Sequence, residues 1–546
     1  MQGVATAASR VPRRAGILTY RVPQLLVWVV CIACAAAVVA FPLGRLVWQA
    51  VDAPAASLGG VVASTSPLLH TLVAVAISTP LAVALGLALA LVCQRAGPAL
   101  RLGVLLPLIV PPFVSAFAWV QAYGAAGLTD HLTGFVLPGL FGPVGVILLL
   151  AVNAVPFPFA TVSAALLAGR TRRLEEAARA SGADARKVFT TVTLPLLRPA
   201  LAAGAVLAAV GAASDFGIPA VVGMPGHFST LTTAIYADLS FSADRASFAA
   251  AIAQALLLCL LVAPAAAALG RLTETPVAPD GGAVRGTGRA GRWGLSMAWL
   301  YVAVVSGVPL LATVLVALTR AYGLAPLPVN WSLVHFAAAV TGDNVVALGH
   351  SVALALAAAA ACCVLGGLLA VLARRSAAGR WLQTLVALPF ALPGSVIAIA
   401  AILAWNQPLH GTLLIIGLAY VARFWTLAER PIGAALGGLS PSRLWAAQAA
   451  GAGPLRAWWV GWWPALAPAC AAAGLLTFVQ AFHELTISSL LYGPGSTTIA
   501  VAVLSADQGG DVGTTAALAV LLAIVSLAAA IPLVGSRRAS VWTGTS

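Results

Sequence analysis

LEEAARASGADARKVFTTVTLP, Leu174 to Pro195, carries three acids and three bases in a chain of 546 residues of which only 8% are charged. Helix-forming residues fill it up to Ser181. Gly182 then reads as a stop, and a second helical piece runs on to a close at Pro195. Glu175 and Glu176 stand near the start of the first piece and Arg186 and Lys187 lie further on, which suits the helix dipole. The flanking sequence is apolar. A polar helical insert of this kind belongs in water between membrane crossings, and the rest of the chain is read outward from it.

With 61% hydrophobic side chains and a mean hydropathy of +1.00, the chain has more apolar surface than a soluble fold buries. The expectation is an all-α polytopic membrane protein. A hydrocarbon layer about 30 Å thick needs roughly 20 apolar residues per helix. Runs of that length fall near 24–44, 69–93, 102–123, 143–165, 199–222 and 247–270, then near 296–319, 346–373, 382–405, 411–435, 466–491 and 513–535, giving twelve expected spans. With the N-terminus inside, only Arg45, Arg245 and Arg320 of the 29 basic residues fall in outer loops. This is the positive-inside bias. The net charge of +14 therefore reports orientation, and no soluble basic face with interleaved aromatics is present to hold nucleic acid.

The first apolar run, about 19 residues, exceeds a cleaved signal and is followed by Pro42-Leu43-Gly44, so it reads as a retained helix. All seven cysteines (Cys31, Cys34, Cys93, Cys259, Cys362, Cys363 and Cys470) fall inside expected spans and read as small packing residues. No metal site and no cofactor is expected.

RLTETPVAPDGGAVRGTGRAGRWG, 271–294, breaks the apolar pattern and reads as a flexible linker between two copies of one unit. His70-Thr71-Leu72 resembles His350-Ser351-Val352 at an offset of 280. Pro107 and Pro111 match Pro389 and Pro393 at 282, and beyond the fourth span the offset settles at 269. The expected organisation is an N-terminal segment 1–23, a first half 24–272, a linker 273–295, a second half 296–536 and a tail 537–546. Halves with an even number of spans sit the same way up and leave a pathway between them, which is a transporter's plan. Two classes stay open: an ion-gradient-driven secondary transporter, and the membrane part of a pump driven by a separate ATPase.

Taken alone, the polar segment is a solvated helical hairpin. Its spacing, however, resembles a known signature: Glu176-Ala177-Ala178, three residues, Gly182, nine residues, Val192, one residue, then Leu194-Pro195. This is similar to the EAA motif of binding-protein-dependent ABC importer permeases. The resemblance implies that the loop 174–195 forms a coupling helix docking into a groove on a cytoplasmic ATP-binding subunit, present in two copies. It also implies an extracytoplasmic substrate-binding protein as partner. A shift of 269 gives WAAQAAGAGPLRAWWVGWWP, Trp445 to Pro464, within a second coupling loop 443–464. Ala446, Ala447, Gly451 and Pro464 keep their places. Trp445 replaces the acid, Gly461 the branched residue and Trp463 the leucine, so docking there would be apolar and aromatic. No GxxxxGK[ST] loop exists and the sole lysine is Lys187, so the chain is expected to be a non-catalytic permease subunit. A gradient-driven carrier would need intramembrane ionisable residues, of which a few exist.

Asp215 and Glu484, 269 apart, occupy equivalent places in the fifth and eleventh spans. A charge in hydrocarbon costs at least ~2.5 kcal/mol on insertion scales. The two acids read equally as pathway or gate residues and as hydrogen-bonded structural acids. Arg423, with Ala154 at its counterpart, reads as pairing with an acid or snorkelling ahead of touching substrate. GMPGHFSTLTTAIY and LYGPGSTTIAVAV repeat a Pro-Gly turn on the outer side, where the resemblance implies docking of the binding protein. His131 and His227 read as interfacial residues as readily as ligands. The resemblance runs from about Ser66 to Pro532. The fused two-half build and DFGIPAVVGMPGHFSTLTTAIY look most like the iron(III) permease subfamily, beside thiamine and 2-aminoethylphosphonate permeases of the same build. The implied location is the bacterial inner membrane, with both termini cytoplasmic.

Overall fold

In hydrocarbon every backbone N–H and C=O has to be bonded within the protein, which leaves helices as the economical solution for so apolar a chain. A computed structural model describes residues 21–52, 64–94, 96–167, 170–242, 244–273 and 291–535. The expected N-terminal segment, most of the linker and the tail lie outside these. Among the described residues no strand forms beyond an isolated bridge between Thr319 and Trp331.

Twelve helices carry the architecture. The first six are α1 (Leu25–Gln49), α2 (Thr65–Cys93), α3 (Pro112–Tyr123), α4 (Pro143–Leu167), α5 (Ala185–Ser214) and α6 (Arg245–Thr273). The second six are α7 (Arg292–Leu318), α8 (Gly342–Arg375), α9 (Gly394–Leu409), α10 (Leu413–Gly437), α11 (Trp463–Phe482) and α12 (Val512–Gly535). By length and composition nine of the described helices can cross a membrane alone, and two bent pairs raise this to eleven. The tenth expected span is α10, which carries Arg423, Glu429 and Arg430 within its 25 residues.

Four spans differ from their sequence expectation, each at a proline or a capped break. The run 102–123 is two helices, Pro98–Leu108 and Pro112–Thr133, bent by 104°; the run 382–405 is Ala377–Ala391 and Gly394–Trp405, bent by 110°. Pro111-Pro112 and Pro393 lack the N–H that would carry the helix across. The run 199–222 stops at Ser214, where Asp215 has extended backbone at φ −70°, ψ 128°, and the run 466–491 stops at Phe482. Pro195, expected to close the polar loop, does not. The π segment Phe189–Thr193, in which the Leu194 N–H reaches back to Phe189 O, passes straight into the membrane helix through Pro195 in its first turn.

Hydropathy finds these helices, but side-chain size decides which face turns inward. Along α2, Leu69, Val73, Ile77, Leu81 and Leu85 are exposed, while Thr71, Ala74, Ser78, Ala82, Gly86 and Ala90 are buried. Lipid tails are as apolar as leucine, so small residues win the helix contacts because they let backbones approach. A Cβ on Gly86 would stand 2.6 Å from Pro158 Cγ. The matching Gly366, 280 residues on, lies as closely on Glu429 N, at 2.8 Å.

The first helix of each set crosses to the other. α1 packs on α8, α9, α10 and Ala377–Ala391, whereas α7 packs on α2, α3 and Pro98–Leu105. One buried cluster joins Leu46, Ala213 and Leu258 to Val396 and Ile399.

Candidate functional site

The polar loop is built by a helix end that only glycine makes cheaply. In the helix Arg170–Ala180 the Ala183 N–H returns to Ala178 O at 3.1 Å and the Gly182 N–H to Arg179 O at 3.0 Å. This is the paired bonding of a Schellman end, with Gly182 at φ +85° in the left-handed region. Asp184 then starts the next turn, its Oδ1 accepting from the Lys187 N–H at 2.8 Å. Glu175 fastens the hairpin to the membrane helix: it accepts from the Thr193 hydroxyl and pairs with Arg179 at 3.4 Å. Glu176 and Ala177 stand exposed on the hairpin, and Ala178 is half-buried. Leu194 and Pro195 sit half-buried where it joins α5.

The second loop repeats the turn with other side chains. Ala452 N–H bonds Ala447 O at 3.0 Å, Gly451 N–H bonds Gln448 O at 2.9 Å, and Gly451 has φ +83°. Ala446 accepts from the Ala450 N–H at 3.0 Å. Among the described residues no acid fastens this hairpin. Trp459 stacks on Trp463 with centroids 5.1 Å apart, and Trp458 lies 5.8 Å from Trp463. Trp445 is 66% exposed and Leu455 81%. Pro464 opens α11 in its first turn, after a break at Trp462 where the first loop has its π segment.

At the membrane breaks the structure places the two acids alike. Asp215 Oδ1 accepts from the Ile218 N–H at 2.8 Å; Glu484 Oε2 accepts from the Ile487 N–H at 2.7 Å and the Ser488 N–H at 3.3 Å. Each satisfies backbone donors that the interrupted helix exposes. Arg423 reaches the second break only. A Cβ added to Gly394 would lie 2.5 Å from its Nη1 and 3.1 Å from Glu484 Oε1, so guanidinium and carboxylate meet over the bare Gly394 backbone. Asp215 and Arg423 are not brought together.

Two further anchors were legible only as repeat markers. His70 Nδ1 donates to Ser229 O at 2.9 Å, and Thr71 Oγ1 accepts from the Leu231 N–H at 2.9 Å. His350 Nδ1 donates to Thr497 O at 3.0 Å, and Ser351 Oγ accepts from the Ile499 N–H at 2.8 Å. In both sets a His-hydroxyl pair ties the head of a membrane helix to the short helix after the Pro-Gly turn, Leu231–Ser240 or Ile499–Gln508. His227 takes φ +56° at the end of its turn, and His131 lies on the short helix Leu128–Thr133. Among the described residues no group of three or more His, Cys, Asp or Glu could hold a metal ion.

Comparison with known proteins meets this geometry. Residues 53–274 match the family model described as the binding-protein-dependent transport system inner membrane component. The molybdenum transport system permease protein ModB of Mycobacterium bovis is 33% identical over 235 residues, covering 40% of this chain and 82% of that protein. The Fe(3+)-transport system permease protein FbpB 2 of Haemophilus influenzae is 25% identical over 435 residues, 77% of this chain and 79% of that protein. The ferric transport system permease protein FbpB of Actinobacillus pleuropneumoniae is 26% identical over 446 residues, 78% of this chain and 64% of its own. With its many apolar helices and its polar loop ahead of α5, the chain belongs to the binding-protein-dependent ABC importer permeases, multi-pass inner-membrane subunits that hydrolyse no ATP themselves.

Proposed function

We propose that this chain moves a small inorganic substrate inward, taking it from an extracytoplasmic binding protein and drawing its energy from two cytoplasmic ATP-binding subunits. The observation that carries the reading is the twin Schellman turn at Gly182 and Gly451. Two loops 269 residues apart carry the same glycine-ended hairpin, as two docking points for a pair of similar subunits require. In this reading residues 24–272 and 296–536 are the two halves, and the loops at 174–195 and 443–464 lie in the cytoplasm with both termini. ATP-driven closure of the ATPase pair reaches the halves through Glu176–Pro195 and Trp445–Pro464 and switches the pathway between inward-open and outward-open. Asp215 and Glu484 hold the breaks that line it.

For the substrate, iron(III) is the first reading, supported by the relation to two ferric permeases along most of the chain. A molybdenum compound is the second, supported by the higher identity to ModB over a shorter stretch. Uptake of labelled ferric iron and of labelled molybdate, in cells with and without the gene, separates them. For the coupling, the full complex is purified by a tag on this chain. Gly182→Val is expected to insert normally and lose the ATPase subunit. Normal uptake by that variant, or gradient-driven uptake by the chain alone in vesicles, would sink the reading.

A further inference from the structure

We propose that the break ahead of α9 is a binding site for a tetrahedral oxyanion on the translocation path, with Arg423 as its cation. The inference rests on the permease reading above and names the class of cargo that the path is built to pass.

Four observations converge on one place. Pro393 ends the preceding helix, so α9 begins inside the bundle after a 110° bend. The N–H groups of Val396 and Ile397 return to Pro393 O, at 3.1 and 3.3 Å. Those of Gly394 and Ser395 come earlier and have no acceptor within the helix, which leaves a helix N-terminus with its partial positive charge. Arg423 comes in from α10 with Nη1 packed against Gly394; that atom is enclosed and has no hydrogen-bond partner among the described residues. Ser395 is fully buried, and its hydroxyl also lacks a partner there. His483, the neighbour of Glu484, buries an Nδ1 that is likewise unpartnered.

Leaving one buried polar group unsatisfied costs about 1–3 kcal/mol, and more when it is charged. A bundle that leaves a guanidinium N–H and a buried hydroxyl unpaired at one bend keeps them for something that arrives. Glu484 is the obvious rival acceptor. Its Oε2 is held by the Ile487 and Ser488 N–H groups and its Oε1 faces Gly394, and Arg423 Nη1 is hydrogen-bonded to neither oxygen. The carboxylate offsets the fixed cation without filling it, which suits a site that has to release its cargo. Donors approaching from a planar guanidinium, a hydroxyl and a helix end match several oxygens of one anion better than a single-atom ion. Arg423, His483 and Thr486 keep partial exposure while Gly394 and Ser395 do not. The first half has Phe113, Ala154 and Ser214 at the matching positions and supplies no cation, so the site occurs once per chain. A ferric cargo would fit here only as a complex with an oxyanion ligand.

The test uses the full-length chain in lipid nanodiscs, with radiolabelled molybdate and phosphate as probes in equilibrium dialysis up to the millimolar range. One saturable site per chain is expected for at least one of the two. Arg423→Gln should weaken it at least about tenfold, and Arg423→Lys less. Gly394→Ala, whose new methyl displaces the guanidinium, and Ser395→Ala should each weaken it several-fold, and they carry the test if Arg423→Gln fails to insert. Absence of saturable binding of both oxyanions, or wild-type affinity in Arg423→Gln or in both substitute variants, overturns the proposal. Copurification of the ATPase subunit should be unchanged in Arg423→Gln. Its loss from the wild-type complex would instead count against the coupling reading, so the two failures are told apart.

Discussion

The helices that cross between the two sets use one backbone device and fasten it differently. α1 contains a π segment at Ala36–Ala40 and α7 one at Ala303–Gly307, each followed by a proline, Pro42 or Pro309. A π turn pulls carbonyls out of the regular ladder, and in hydrocarbon they need donors. At α7 they find them: Trp119 Nε1 donates to Val305 O at 3.1 Å and Tyr123 OH to Val304 O at 2.7 Å, both from α3. The proline register puts Ala401 and Trp405 at the corresponding places on α9. There, beside the α1 segment, lies a void of about 10 Å³ lined by Val38, Pro389, Ala401 and Trp405 among others. A volume of ~10–15 Å³ is the least that holds one water. The lesson is that the pseudo-symmetry is one of backbone path: the π segment of one crossing is pinned by side-chain donors, and among the described residues that of the other is not.

The largest expected effect tests that difference directly. Trp119 is 5% exposed, and Trp119→Ala should cost about 3–5 kcal/mol, as aromatic truncations in a core do. Trp119→Phe keeps most of the packing and should cost roughly 0.6–1.7 kcal/mol, the range for a hydrogen bond within a membrane bundle. Trp405→Ala, at a position that is only half-buried, should cost less than half as much as Trp119→Ala. Thermal unfolding of the purified chain in detergent measures all three. Equal losses from Trp119→Ala and Trp405→Ala would abolish the contrast.

Next come the coupling hairpins, alike in turn and unlike in surface. Nothing lies within 4 Å of a Cβ built on Gly182 or Gly451, so a larger residue meets no obstacle. The cost comes from positive φ, about 1–2 kcal/mol for an L-residue and worse for a branched one. Gly182→Val and Gly451→Val should therefore each lower ATPase association by about tenfold or more, since 1.4 kcal/mol is tenfold in an equilibrium constant. Salt sharpens the comparison. Association lost through Glu176→Gln should shrink as ionic strength rises toward molar, where the screening length is about 3 Å. The loss from Trp445→Ala should persist there, because burial of an exposed indole is not screened. Copurified ATPase across a salt series reads both. Matching salt dependence would show that the two loops dock by one chemistry.

Much of this was legible in the sequence because helices and turns are local. The apolar runs, the Gly182 stop and the matched prolines all have causes within a few residues. Even the His70-Thr71 and His350-Ser351 pairs stood out as repeats. What could not be read was what those residues touch. Pro111 and Pro393 marked the repeat, yet bends above 100° depend on where the next helix can pack. Pro195 looked like a terminator because a proline usually ends a helix; the π segment before it, set by tertiary packing on Glu175 and the coupling hairpin, carries the helix on. Asp215 and Glu484 were matched by number alone. Their capping bonds are local, three or four residues along the chain, but the approach of Arg423 to Glu484 over Gly394 exists only once α9, α10 and α11 are brought together.

The third comparison is between these two acids. If each serves its break by accepting N–H groups, Asp215→Asn and Glu484→Gln keep an acceptor oxygen and should cost under about 1 kcal/mol. Asp215→Ala and Glu484→Ala leave buried donors unpaired and should cost about 1–3 kcal/mol. Unfolding midpoints in detergent measure the four variants, and an amide variant as damaging as its alanine would show that charge, and not capping, is what the break needs.

The smallest effect lies outside the membrane, at the heads of α6 and α12. Asp244 Oδ1 accepts from the Ser247 N–H at 2.6 Å, and Asp511 Oδ1 from the Thr514 N–H at 3.1 Å. The Ser247 backbone bond, helped by its side chain, holds the Asp244 carboxyl below the usual aspartate range. A carboxyl whose folded value is depressed stabilises the fold fully above the unfolded value, near 3.9, and that contribution is lost as pH falls through the lower folded value. Asp244→Asn should therefore destabilise slightly at pH 7 and make no difference once the solution is more acidic than the folded carboxyl. An unfolding series from neutral to strongly acid pH reads this as two curves that converge at the acid end. Because Asp244 is exposed, the gap at neutral pH should be smaller than for any substitution above. A gap that widened toward acid would mean that the carboxylate is unfavourable at this helix start, and the tighter cap on α6 would then reflect backbone geometry instead of charge.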